Sequence, residues 1–199
     1  MVSKPENNTP NDRATTVFDI VAMAASADGL KALSCVLSTL APEFPASIVV
    51  VQHLSPRHPS LIAQILNRCS PLLVKQAEQG CQLSAGKVFI APPDYHLLVN
   101  PDGSLSLSQT EKVHFVRPAA ENLFESVAQS YKDRAIAVVL TGGDGDGSRG
   151  VQAIKKMGGK VIVQGDILLH YNALRIIVQA SNLTAGFSWF FPYGVSTLA

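Results

Sequence analysis

The sequence predicts a doubly wound α/β domain: a mostly parallel sheet with helices on both faces and one antiparallel hairpin, stacked as three α/β/α layers. Three observations predict it. Runs such as Ile48-Val49-Val50-Val51 and Ile136-Ala137-Val138-Val139-Leu140 are continuously apolar, as strands covered on both faces are. Segments with apolar residues at helical spacing lie between such runs, which is the alternation of crossover units in a parallel sheet. The 199 residues suffice for one domain with a sizeable core and no need of staples.

The elements follow in order. Residues 1–16 are polar, rich in Asn, Pro, Lys and Asp, and read as a flexible tail, so one domain is expected over residues 17–199. Val17 to Ala25 is the first strand. Leu30, Leu33, Val36, Leu37 and Leu40 mark a helix, and the Ile48 run completes a βαβ unit. A helix over residues 61–69 precedes the short strand Leu72-Leu73-Val74 and the strand Lys87-Val88-Phe89-Ile90. Residues 95–99 and 104–108 alternate about Asn100-Pro101-Asp102-Gly103, which predicts a hairpin and hence a mixed sheet. Residues 119–131 form a helix with Leu123, Phe124, Val127 and Tyr131 on one face, feeding the Ile136 strand. A helix over residues 148–157 stopped by Gly158-Gly159, the strand Val161-Ile162-Val163 and a helix around residues 173–180 end the pattern.

Composition narrows the function. Sixteen basic residues against fifteen acidic leave a net charge of +1 with no basic tract, so no nucleic-acid footprint is present. Cys35, Cys69 and Cys81 have no CxxC spacing, and Cys35 and Cys69 are expected to face inward as reduced thiols of a cytoplasmic protein. The start of the chain has no apolar leader pattern, and no run is long enough to cross a bilayer, so neither export nor membrane insertion is expected.

Chemistry gathers at strand ends. Ser26 follows the first strand at a sharp turn among small residues, Gln52-His53 follow the second, and Asp144 and Asp146 follow the Ile136 strand. Sites in open α/β sheets form at the carboxyl ends of strands. A hydroxyl, an imidazole and a carboxylate meeting there make an activated nucleophile, its base and an orienting acid. Other readings remain open for each: Ser26 as a helix cap, His53 as a loop histidine bonding backbone, Asp146 as a cap before Gly147-Ser148. The glycines of residues 142–150 resemble a phosphate loop, but they lack the Lys-Ser/Thr pair and carry two aspartates. No G-x-S-x-G elbow is present.

Five blocks in order resemble the catalytic domain of the CheB-type chemotaxis protein-glutamate methylesterases. They are Met23 to Gly29, Val50-Val51-Gln52-His53-Leu54, Gly86 to Leu97, Arg117-Pro118 with Leu123-Phe124, and Leu140-Thr141-Gly142-Gly143-Asp144-Gly145-Asp146-Gly147. The resemblance implies that Ser26 is the nucleophile, His53 the base and Asp146 the acid that orients it, with no metal and no organic cofactor. It also implies hydrolysis of γ-glutamyl methyl esters, and deamidation of glutamines, on a methylated chemoreceptor or other protein substrate. Ala27, His96 and Gly143 are expected to line the substrate cleft. Residues 1–16 are too few for a receiver domain, so a separate receiver or methyltransferase partner is a further expectation.

The chain departs from the family pattern in three places. Ala24 and Asp28 stand where glycines are usual, Gly143-Asp144-Gly145-Asp146-Gly147 replaces the common Met-Gly-Asn-Asp-Gly, and residues 164–173 replace a stretch that usually ends in Gly-Met-Pro. Asp28 is expected to cap the following helix and to oppose a nearby oxyanion. Two other readings are therefore carried: a binding or regulatory module that keeps the fold with weakened turnover, and an esterase for small molecules.

Overall fold

Strands built from small and β-branched residues, apolar on both faces, have to be covered on both sides, and the chain supplies that cover in sequence. The computed structural model describes residues 18–53, 60–140 and 145–164. The elements run β1 (Ile20–Ala25), α1 (Gly29–Ser38), β2 (Ser47–Gln52), α2 (Ile62–Cys69), β3 (Leu73–Gln76), β4 (Lys87–Ile90), β5 (His96–Val99), β6 (Leu105–Ser108), α3 (Ala120–Tyr131), β7 (Ala135–Val139), α4 (Ser148–Lys156) and β8 (Lys160–Val163). Among the described residues six strands pair in the order β3-β4-β2-β1-β7-β8, every neighbour parallel.

The hairpin β5–β6 forms a separate two-stranded sheet, so among the described residues the main sheet is parallel rather than mixed. Its alternation has a different cause: Leu97, Val99 and Leu105 pack with α3 on one face of the main sheet. The expected tail at residues 1–16, the helix around residues 173–180 and the altered stretch beyond residue 164 lie outside the described residues.

Each central strand feeds two cores. Val21, Met23 and Ala25 of β1 join the layer under α1 and α2, where Leu33, Leu37 and Leu66 are fully buried. Ile20, Ala22 and Ala24 join the layer under α3 and α4 with Phe89, Leu123 and Phe124. Each buried Val, Ile, Leu, Met or Phe among them contributes about 1.5–3 kcal/mol, and the alanines less, which fixes the sheet as the rigid support of its own strand ends. The inward expectation for two thiols is overturned: Cys35 and Cys69 are exposed. On α1 the buried face is Ala32, Leu33, Val36 and Leu37, a spacing that turns position 35 outward, and Cys69 is the last residue of α2, past the buried Ile62 and Leu66.

The layer of α3 and α4 is tightest at Gly150. A Cβ there would come 2.5 Å from Phe124 Cβ and 3.1 Å from the Glu121 carbonyl oxygen. Gly150→Ala should therefore prise α4 from α3 and lower stability by about 1–3 kcal/mol, read as a fall in the urea midpoint at unchanged slope.

Candidate active site

Strand register brings the first two groups together. Ala25 of β1 lies beside Gln52 of β2, and the His53 N–H donates to the Ala25 carbonyl at 3.1 Å, carrying the ladder one residue further. Ser26 and His53 thus leave the sheet as neighbours, and His53 Nδ1 lies 3.2 Å from Ser26 Oγ. The Gln52 side chain, 5% exposed, braces the pair: its Nε2 donates to the Ser26 carbonyl at 2.7 Å and to the His53 carbonyl at 3.3 Å. Its Oε1 is buried against Gly29, where an added Cβ would stand only 2.0 Å away. The glycine after the serine turn is required for this close approach.

Asp146 arrives from the opposite side of β1, on a turn between Gly145 (φ 78) and Gly147 (φ 89). Its Oδ2 lies 2.8 Å from His53 Nε2. The same oxygen accepts the Ala120 N–H at 2.6 Å, and Oδ1 accepts the Glu121 N–H at 3.1 Å. The carboxylate thus caps α3, not the helix that follows it, since α4 starts at Ser148 and its N-cap residue, Gly147, has no side chain to cap it. Burial raises its pKa, but the bond to His53, the two N–H groups and the charge of His53 outweigh that and hold it below the ordinary range. An ionised carboxylate only accepts, so His53 carries its proton on Nε2 and turns the Nδ1 lone pair to Ser26.

The cap is reciprocal. Glu121, 1% exposed in the first turn of α3, accepts the Arg149 backbone N–H at 3.2 Å and its Nε–H at 2.6 Å in the first turn of α4. Two helix N-termini exchange carboxylates, and the exchange fixes the turn that carries Asp146. Glu121 was not singled out from the sequence, and Gln52 was named at its strand end without a role. A first-turn Glu reads as an exposed charge favouring its own helix dipole, and the polar residue before His53 gives no sign of being buried.

The three cleft expectations fare differently. Ala27 is exposed beside Ser26, and no hydrogen bond among the described residues uses its N–H or that of Asp28, whereas the Gly29 N–H is taken by the Ser26 carbonyl at 2.9 Å. Gly143 lies outside the described residues. His96 is a correction: it is 0% exposed, its two ring nitrogens bond backbone groups, and it cannot line a cleft. Asp28 is corrected as well, because it makes no side-chain cap and instead holds the left-handed backbone (φ 58) that starts α1.

A doubly wound α/β domain with hydroxyl, imidazole and carboxylate in hydrogen-bonding line at its strand ends has the architecture of a serine hydrolase. The comparisons agree. The family model for the CheB methylesterase matches residues 21–167. A putative protein-glutamate methylesterase/protein-glutamine glutaminase of Leptospira interrogans is 37% identical over 147 residues, covering 74% of this chain and 76% of that protein. The protein-glutamate methylesterase/protein-glutamine glutaminase of Thermotoga maritima is 39% identical over 148 residues, but there the chain spans only 43% of the relative's length. The crystal structure of the Thermotoga maritima CheB methylesterase catalytic domain superposes with a TM-score of 0.75 at 32% identity, covering 84% of this chain and 99% of that one. This chain belongs to the CheB methylesterase family.

Because the folded pKa of Asp146 is depressed, its contribution to stability is complete above the unfolded carboxylate value of about 3.9 and is lost as pH falls through the lower folded one. Asp146→Asn should accordingly be less stable than the parent near neutrality, and the gap should close as pH falls below about 4. Urea midpoints across that range are the measurement.

Proposed function

We propose that this chain is a carboxylic-ester hydrolase of the protein-glutamate methylesterase type, acting through Ser26, His53 and Asp146 on γ-glutamyl methyl esters of a chemoreceptor on the cytoplasmic side of the membrane. The observation that carries the reading is the line from Ser26 Oγ through both nitrogens of His53 to Asp146, at 3.2 Å and 2.8 Å. Family membership and the names of the relatives support the substrate class, and the second activity in those names supports deamidation of glutamines at the same site.

The chemistry follows from the tautomer. His53 Nδ1 takes the Ser26 proton as Oγ attacks the ester carbonyl carbon, and Asp146 steadies the imidazolium so formed. The Ala27 N–H, next to the nucleophile in the chain, is the backbone donor offered to the oxyanion, with the Asp28 N–H beside it. Collapse breaks the bond to methoxide, which leaves as methanol with the proton from His53, and the glutamyl group stays on Ser26. Water, deprotonated by the same nitrogen, then releases the glutamate and restores the serine. For a glutamine side chain the leaving group is ammonia.

A binding module with weakened turnover is the second reading, motivated by Gly143, which lies outside the described residues, and by Asp28. Its left-handed backbone suits Gly best, yet Asp is among the few other residues that visit this region readily. What Asp28 adds is an exposed carboxylate two residues from the nucleophile.

Methanol release from a methyl-labelled receptor separates these readings. Ser26→Ala and His53→Ala should each lower kcat by a factor on the order of 10⁴–10⁶ while leaving the folded baseline intact. Release that survives Ser26→Ala removes the serine from the reaction, and no release from the parent chain leaves the binding reading. A generic activated ester turned over faster than the receptor would favour a small-molecule substrate. Asp28→Gly should raise kcat/KM by about fivefold, the effect of relieving roughly 1 kcal/mol of opposition to the oxyanion, in steady-state assays at low salt.

A further inference from the structure

α3 begins without a cap of its own, and its missing partners come from elsewhere in the chain. Its N-cap residue is Ala119, which has no side-chain group to offer, and Ala119 and Ala120 are buried. The first N–H groups of a helix need acceptors. Asp146 takes those of Ala120 and Glu121. The N–H of Ala119 donates to Nδ1 of His96 at 3.2 Å.

We infer that His96 is a positioning residue for the proposed reaction: by holding the Ala119 backbone it aims the next two N–H groups at the Asp146 carboxylate and so keeps that carboxylate on His53. The inference rests on the Ser26–His53–Asp146 reading. His96 touches neither the reacting atoms nor solvent, and it acts through α3.

The ring is suited to this in one state only. Nε2 lies 3.0 Å from the Glu111 carbonyl oxygen, an acceptor, so Nε2 carries the proton and Nδ1 is the lone pair that Ala119 needs. Burial pushes His96 below its ordinary pKa, opposed by the Glu111 carbonyl; Arg117 pushes the same way as burial, and Asp146 opposes. The neutral ring is favoured. Arg117 is itself pinned, its Nε and Nη2 donating to Asp94 Oδ1 at 3.0 and 2.7 Å and its Nη1 to the carbonyls of Gln109 and Thr110. The segment entering α3 is thereby held on one side by β5 and on the other by the loop at residues 109–117.

A residue that merely fills space would need no lone pair, and the test turns on that difference. Asn places a carbonyl oxygen where Nδ1 stands, while Gln reaches only to the place of Nε2 and can keep the Glu111 bond alone. In the methanol-release assay His96→Leu should lower kcat roughly 10–100-fold with KM little changed, as expected when a reacting group is displaced by a fraction of an ångström. The acid limb of its kcat/KM–pH profile should move to lower pH, because an Asp146 that drifts from His53 no longer favours the imidazolium. His96→Asn should recover most of kcat and restore the limb, and His96→Gln should not. A folded Leu variant with unaltered kcat and acid limb overturns the inference. So does a Gln variant as active as Asn, which is the deciding comparison if Leu fails to fold. Ser26→Ala is run alongside: activity that survives it defeats the triad reading and this inference together, whereas its loss with an unaffected Leu variant defeats the inference alone.

Discussion

A carboxylate taken out of water costs several kcal/mol unless it is paired and hydrogen-bonded, and the Asp146 side chain is only 1% exposed. Among the described residues three donors offset it: His53 Nε2–H and the N–H groups of Ala120 and Glu121. Two of the three are a helix N-terminus, where the macrodipole favours an anion. The arrangement of the site depends on this one buried charge. It fixes where α3 starts relative to the β7–α4 turn, and it decides which nitrogen of His53 bears the proton. Glu121 then ties the start of α4 back to α3, so the turn bearing Asp146 is held from both sides.

The other half of the site is set by strand register, braced by the Gln52 side chain. β1 is central, with β2 on one side and β7 on the other, so the chain crosses the sheet in opposite directions from it. Strand ends diverge at such a point and leave room for a substrate. Ser26 and His53 emerge from adjacent strands one residue past the Ala25–Gln52 pair, and Gln52 fastens both carbonyls. The nucleophile and its base therefore move as part of the sheet.

Much of this was legible in the residues, for identifiable reasons. Buried parallel strands leave continuous apolar runs, so each main-sheet strand among the described residues was found within about three residues of its ends, and polar residues just beyond such runs marked Ser26, His53 and Asp146. Local pattern was silent on placement at long range. The alternation of residues 95–99 and 104–108 specified a hairpin, but nothing local says that it packs with α3 instead of joining the main sheet. His96 at the head of that hairpin read as a cleft residue, because its acceptor role depends on Ala119 and Glu111, 23 and 15 positions away. Asp146 matched a cap for the helix after it. The helix it caps lies 26 residues before it.

The departures from the family pattern take on a physical order once the backbone is known. At position 28 the chain needs φ near 58, which accounts for the glycine usual there, and Asp meets the need with a modest conformational penalty. Position 24 needs no such freedom: Ala24 is ordinary strand, paired with Val51 and Val139, and its methyl group fills the core under α3 and α4. One substitution therefore changes packing and leaves the serine turn untouched, while the other keeps the turn and adds a solvated charge. Solvent and salt screen an exposed carboxylate strongly, whereas the Asp146–His53 pair is shielded by burial. The screened charge at position 28 acts on the rate of the same chemistry, and the buried one at position 146 decides whether the imidazole is poised for it at all.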